Sequence, residues 1–145
     1  MLVSQILSSK AMDGVLTLSS KQPVTDAVAL MSEKRIGTVV VSDDAGETAA
    51  GILSERDIVR ELGRRGEACL SGSIGDMMTS KLVTCTGSDT SDSVLSTMTD
   101  GRFRHMPVLD GRKLVGLISI GDVVKARLAE LAMERDALEG MVMGH

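Results

Sequence analysis

Residues 51–57 read GILSERD and residues 116–122 read GLISIGD. Each gives a Gly, two aliphatic residues, a Ser, two variable residues and an Asp, and each opens a run with helix-like apolar spacing. A phrase repeated in this way marks an internal duplication. Gly51, Ser54 and Asp57 meet Gly116, Ser119 and Asp122 at an offset of 65 residues. Further upstream the offset is 67: Ala27 meets Val94, Met31 meets Met98, Arg35 meets Arg102, Val41 meets Val108 and Asp43 meets Asp110. The two-residue difference falls between SDDAGETAA and LDGRK, turn sequences in which insertion costs little. The lead-ins VSQILSSK (3–10) and SIGDMMTSK (73–81) match as well. The expected organisation is therefore repeat one over 3–66, repeat two over 73–127 and a helical extension over 128–145.

Each repeat predicts the same elements. A short apolar stretch comes first, VLTL at 15–18 or KLVTC at 81–85. A helical period follows, with Val24, Ala27, Val28 and Met31 in one copy and Val94, Leu95 and Met98 in the other. Pro23 stands where a helix can begin. The runs GTVVVSDD (37–44) and HMPVLDG (105–111) read as strands, and each is joined by a turn to a second strand, TAAGILS or KLVGLIS. A second helix opens at Glu55 or Ile120. The fold class is α/β (α+β), with two tandem β-α-β-β-α units. One unit buries too little surface to be comfortable alone, so the two are expected to pack together.

The last helix outruns its counterpart. Val124, Leu128, Leu131, Arg135, Leu138 and Val142 follow a 4-3-4-3-4 spacing, a heptad seam interrupted by Arg135. Two readings are open: packing on its own domain, or self-association.

Composition excludes several classes. The 145 residues are 43% hydrophobic, enough for a real core. There are 16 Lys+Arg against 20 Asp+Glu, a net charge of −4, which argues against nucleic acid as a main partner. With one Phe and no Trp or Tyr, base stacking could use only Phe103. No apolar run approaches the roughly 18 residues of a membrane span, and the N-terminus does not read as a signal peptide. Cys69 and Cys85 form no disulfide framework. A soluble, cytoplasmic protein with two free thiols is expected.

Ser54 with Asp57, and Ser119 with Asp122, stand at i and i+3 of a helix start, the capping-box pattern. Capping alone would account for them. The same geometry also suits a ligand: helix N-terminal N–H groups suit a phosphate, and a carboxylate can accept from both hydroxyls of a ribose. Gly51 and Gly116 permit close backbone approach. GRFRHMPV at 101–108 adds Arg102, Arg104 and His105, whereas repeat one has Ile36, Gly37 and Thr38 near the matching places. On an alternating strand Arg104 and His105 point to opposite faces, so one ligand meets both only near a strand end. A solvated basic edge is the alternative.

These patterns resemble a known family. The T-x-x-x-A-x-x-x-M-like helix spacing, the PV-[VL]-D strand and the G-[IL]-[LI]-S-x-x-D phrase are similar to the cystathionine β-synthase (CBS) domain, over about residues 3–127. Two in tandem form a Bateman module. The resemblance implies two units packed sheet to sheet around a pseudo-twofold axis, with two clefts for adenosine nucleotides such as AMP, ADP, ATP, NAD(H) or S-adenosylmethionine. It implies that the Asp of the phrase holds ribose and the Ser approaches phosphate. One cleft would join Ser54, Arg56 and Asp57 to Asp89, Val94, Phe103, Arg104 and His105. The other would join Ser119 and Asp122 to Gln22, Ala27, Ile36 and Gly37. Two departures stand out. Val40 replaces the usual Pro, present at Pro107, and Gly121 replaces the charged residue that Arg56 provides.

No phosphate loop, GxGxxG or HExxH is present, and LISIG lacks the first Gly of a nucleophile elbow. Cys69, Cys85, His105 and His145 have no metal-ligand spacing. The expectation is a non-enzymatic regulatory module that needs no cofactor. It would bind an adenosine nucleotide, form a homodimer and act on an unidentified regulated protein. The competing readings are a structural dimerisation module with empty clefts and a nucleic-acid-binding accessory protein.

Overall fold

The computed structural model describes residues 1–10 and 14–143. Repeat one carries β1 (Thr17–Leu18), α2 (Val24–Lys34), the hairpin β2 (Thr38–Val41) and β3 (Gly51–Ser54), and α3 (Glu55–Arg65). Repeat two carries β4 (Cys85–Thr86), α5 (Ser91–Gly101), β5 (His105–Asp110), β6 (Lys113–Ser119) and α6 (Ile120–Val142). Short helices lead into them, α1 (Val3–Ser9) and, after a 3-10 turn at Glu67–Ser71, α4 (Ile74–Met77). The β-α-β-β-α order expected from the sequence is present twice.

Each sheet has three strands in the order of the chain, the first pair parallel and the second antiparallel. Thr17 pairs with Val40 and Cys85 with Val108. The initial strands are shorter than the apolar stretches suggest. Only Cys85 of KLVTC enters the ladder, while Lys81, Leu82 and Val83 lie outside it and line a cleft.

The helix boundaries have local causes. Ser54, Thr90 and Ser119 accept the N–H three residues on at the starts of α3, α5 and α6. Arg35 and Arg102 end α2 and α5 in the left-handed conformation, with φ of 55° and 57°, which turns the chain sharply into the next strand.

The two lead-ins are exchanged between the cores. Val3 and Ile6 of α1 pack into the core of repeat two, with Val94, Met98, Met106 and Ile118. Ile74 and Met77 of α4 pack into the core of repeat one, with Val24, Met31, Val39 and Leu53. Each core is therefore closed by chain that lies outside its own β-α-β-β-α run. The exchange reaches the strands too: Ile52 and Thr79 trade two backbone hydrogen bonds of 3.0 and 2.9 Å.

The glycines of the repeated phrase serve this packing. A Cβ on Gly51 would stand 2.5 Å from Met78 Sδ and 2.9 Å from the Thr79 carbonyl oxygen. One on Gly116 would stand 2.8 Å from both Leu7 methyl carbons. The close approach foreseen at these positions is made by the chain's own lead-ins.

The heptad stripe of α6 does not dock the helix on its own domain. Val123 and Ala126 are buried there instead. Val124, Leu128, Leu131 and Leu138 are all exposed, and Val142 is 87% exposed. Glu130 marks the end of the docked half, holding the N-terminal ammonium at 2.9 Å and the Ser91 hydroxyl at 3.1 Å. Among the described residues no helix is long and apolar enough to cross a membrane.

Candidate functional site

The two Ser/Asp pairs form closed capping boxes. At the head of α3, Ser54 Oγ accepts from Asp57 N at 3.2 Å, and Asp57 Oδ2 accepts from Ser54 N at 2.9 Å. Asp57 Oδ1 accepts from Arg60 Nη2 at 2.8 Å, and the residue is only 7% exposed. At the head of α6, Ser119 Oγ accepts from Asp122 N at 3.1 Å, and Asp122 Oδ2 accepts from Ser119 N at 2.9 Å.

Capping does not use every oxygen. Asp122 Oδ1 has no hydrogen-bond partner among the described residues, while Oδ2 also takes Lys10 Nζ at 2.8 Å. Lys10 donates in addition to the Leu117 carbonyl at 2.9 Å. Burial pushes the Asp122 carboxyl up, but the Lys10 ammonium and the Ser119 N–H outweigh it and hold it below the usual carboxylate range.

Two clefts lie between the repeats. The first, about 490 Å³, brings Ser54, Arg56 and Asp57 to Phe103, Arg104 and His105, as the resemblance implied. The second, about 590 Å³, brings Ser119 to Ile36 and Gly37. Asp122 does not line it, but it holds Lys10, which does, at 2.8 Å. Four further expected residues line neither cleft. Asp89 accepts from Thr86 N at 2.8 Å in a local turn. Val94 and Ala27 are buried in the cores. Gln22 bonds Ser19 N and Asp26. All four precede or occupy α2 and α5, whose inner faces the cores consume.

β5 begins at His105 and Arg104 lies just before it, so both reach the first cleft from a strand end. His105 also lines the second cleft, and its Nδ1 is 3.0 Å from Thr38 Oγ1. Burial lowers the His105 pKa, with Lys10 and Arg104 adding to the effect and Asp122 and Glu55 opposing it.

Sequence reasoning missed Lys10, Lys81, Arg35 and Thr38. A signal existed for each. Lys10 and Lys81 end the two matching lead-ins, and each lines one cleft. Arg35 and Arg102 are repeat counterparts and do the same. In place of the strand, Val15 with Leu16 and Leu82 with Val83 supply each cleft with an apolar wall. Cys69 and Cys85 are free and buried, and burial, then Asp89, pushes the Cys85 thiol up to about 11. Such a thiol is not poised as a nucleophile. Among the described residues no cluster of His, Cys, Asp and Glu is placed to hold a metal; His145 lies outside them.

A family model described as "CBS domain" matches residues 3–64 and 74–129. The chain belongs to the CBS domain family. The mitochondrial CBS domain-containing protein CBSX3 of Arabidopsis thaliana is 35% identical, over 98% of this chain and 72% of that one. The crystal structure of a CBS-domain containing protein from Agrobacterium tumefaciens is 39% identical with a TM-score of 0.82, covering 88% of this chain and 99% of that one. A CBS domain protein from Pyrobaculum aerophilum, solved in complex with AMP, is 24% identical with a TM-score of 0.77, covering 92% and 99%. At that identity the likeness is one of fold. The CBS pair here is thus two repeats in the arrangement of its solved relatives, with a cleft on each side of the Thr38–His105 contact.

Proposed function

We propose that this CBS pair is a non-catalytic regulatory module that binds adenosine nucleotides in its two clefts and so senses energy or redox state. One observation carries the reading. Asp57 and Asp122, counterparts in the repeat, each stand at a helix start beside a cleft with a Ser, an apolar wall and a cation. A carboxylate there accepts from ribose hydroxyls, the apolar wall covers a base, and the cation meets phosphate. The AMP complex of the Pyrobaculum relative supports the ligand class. AMP, ADP, ATP, NAD(H) and S-adenosylmethionine all carry the adenosine that such a cleft recognises.

The module works as a homodimer in this reading, because the α6 stripe is apolar, exposed and spaced as a heptad seam. Its output passes to a separate regulated protein. It acts in the cytoplasm, and fractionation tests this against the mitochondrial assignment of the plant relative.

A second reading has one observation in its favour. Both capping boxes are closed, as a purely structural pairing module would have them. Thermal unfolding with each ligand in turn separates the two. A ligand that binds only the folded chain adds about 2.7 kcal/mol at one hundred times Kd. A rise in melting temperature supports the sensor, and no rise with any of the five supports the structural module.

A further inference from the structure

The two clefts are alike in size and unlike in charge. The first is lined by five cations, Arg56, Arg60, Lys81, Arg102 and Arg104, against the two carboxylates of Glu55 and Asp57. Arg60 is engaged with Asp57 at 2.8 Å. Among the described residues no carboxylate lies within ion-pair distance of the other four cations. The second cleft is lined by two cations, Lys10 and Arg35, and Lys10 is neutralised by Asp122 at 2.8 Å. His105 is shared by both and so does not distinguish them. The difference comes from particular repeat positions. Arg56 has Gly121 as its counterpart and Arg104 has Gly37, while Lys81 and Lys10 match in type but not in partner.

Resting on the nucleotide-binding reading above, we infer that the clefts sort adenosine ligands by charge. The first takes a nucleotide with a phosphate chain of two or three groups, and the second takes an adenosine that is uncharged or carries one phosphate. Four unengaged cations around one opening raise the local concentration of a polyanion and pair with its oxygens. In the second cleft a polyphosphate would meet one unengaged cation, beside a carboxylate that repels it. A ligand without charge loses nothing there, and Asp122 Oδ1 remains open to its ribose. Sorting by a repulsive element as well as an attractive one is how such sites discriminate.

The test is calorimetry on the whole chain with ATP and with adenosine as probes, without divalent cation. One ATP is expected per chain, with affinity falling steeply as salt rises. Adenosine should still bind to ATP-saturated protein, with little salt dependence. Asp57→Asn should weaken ATP alone, and Asp122→Asn should weaken adenosine in that ternary titration alone. Arg102→Gln should weaken ATP about tenfold and leave adenosine unchanged. Gly121→Arg restores the missing counterpart of Arg56. A Cβ at Gly121 meets nothing closer than Ser119 Oγ at 3.6 Å, an ordinary van der Waals contact, so the backbone accepts a side chain there. That variant should bind two ATP per chain. Two equal ATP sites in the parent chain would overturn charge sorting and leave nucleotide binding standing. Failure of both ATP and adenosine to bind would overturn the two together. A Gly121→Arg chain that melts like the parent and still binds one ATP would refute the assignment of the deficit to that position.

Discussion

Thr38 Oγ1 and His105 Nδ1 lie 3.0 Å apart, and the two residues hold the same place in their repeats, 67 positions apart. The pseudo-twofold axis therefore runs between a hydroxyl and an imidazole. Both residues wall both clefts, so a contact that joins the sheets also separates the ligand sites.

Stability should depend on pH through His105. Its folded pKa is lowered from 6.5 because burial disfavours the imidazolium. The unfolded chain thus takes up this proton at a higher pH than the folded one, and stability rises with pH across that window. The contribution is complete above about 6.5 and is lost as pH falls from there to the lowered folded value. Denaturant unfolding at a series of pH values should show this slope, and His105→Gln should flatten it.

Asp57 and Asp122 should separate capping from binding. Asn at the third helical position keeps an oxygen that can accept from the Ser54 or Ser119 N–H and gives up only the ion pair with the half-exposed Arg60 or Lys10, so Asp57→Asn and Asp122→Asn should each cost about 1 kcal/mol of stability. Hydrogen bonds to a charged acceptor are worth about 1.5–3 kcal/mol, so Kd in the affected cleft should rise roughly ten- to a hundredfold. Calorimetry and thermal unfolding on the same samples check both halves. Parent-like binding in both variants would remove these carboxylates from the site.

The phrase glycines should differ in tolerance. Gly51→Ala meets the Thr79 carbonyl, which is held by its ladder with Ile52. Gly116→Ala meets the ends of the Leu7 side chain, which can rotate away. Overpacking costs about 1–3 kcal/mol; Gly51→Ala should sit at the upper end and Gly116→Ala at the lower. Chemical denaturation measures both, and equal costs would contradict the exchanged lead-ins as the cause.

Assembly should depend on the distal half of α6. Leu131→Glu with Leu138→Glu places charge on the exposed seam without touching Val123 or Ala126, which dock the helix. Light scattering should show a dimer for the parent chain and a monomer for this double variant, with the far-ultraviolet spectrum unchanged. A parent chain that stays monomeric at micromolar concentration would remove the seam as an interface.

The duplication, the element order and the Ser/Asp capping boxes were legible in the sequence, because all three are local. Hydrophobic period, turn residues and a cap three residues from its partner are written within a dozen positions. The heptad spacing of α6 was legible in the same way, though it could not say whether its own domain would cover it. The apolar stretches Val15–Leu18 and Lys81–Cys85 misled for a related reason. Their composition suits a strand, but only the last two residues of the first and the last of the second find a neighbour to pair with.

Tertiary structure alone decided the rest. Nothing local says that Val3 and Ile6 close the core of the distant repeat, or that Ile74 and Met77 close the near one. Long-range burial chooses between them, and the choice carries Lys10 onto Asp122. That single ion pair cancels a cation which its counterpart Lys81 leaves exposed to the other cleft. The sequence by itself determined two copies of one unit, with the residue types a ligand needs at each. The packing of the copies against one another determined which of those residues share a cleft. It did so because Asp89, Val94, Gln22 and Ala27 were drawn to turns and cores by hydrogen bonds and apolar burial that only the assembled fold provides.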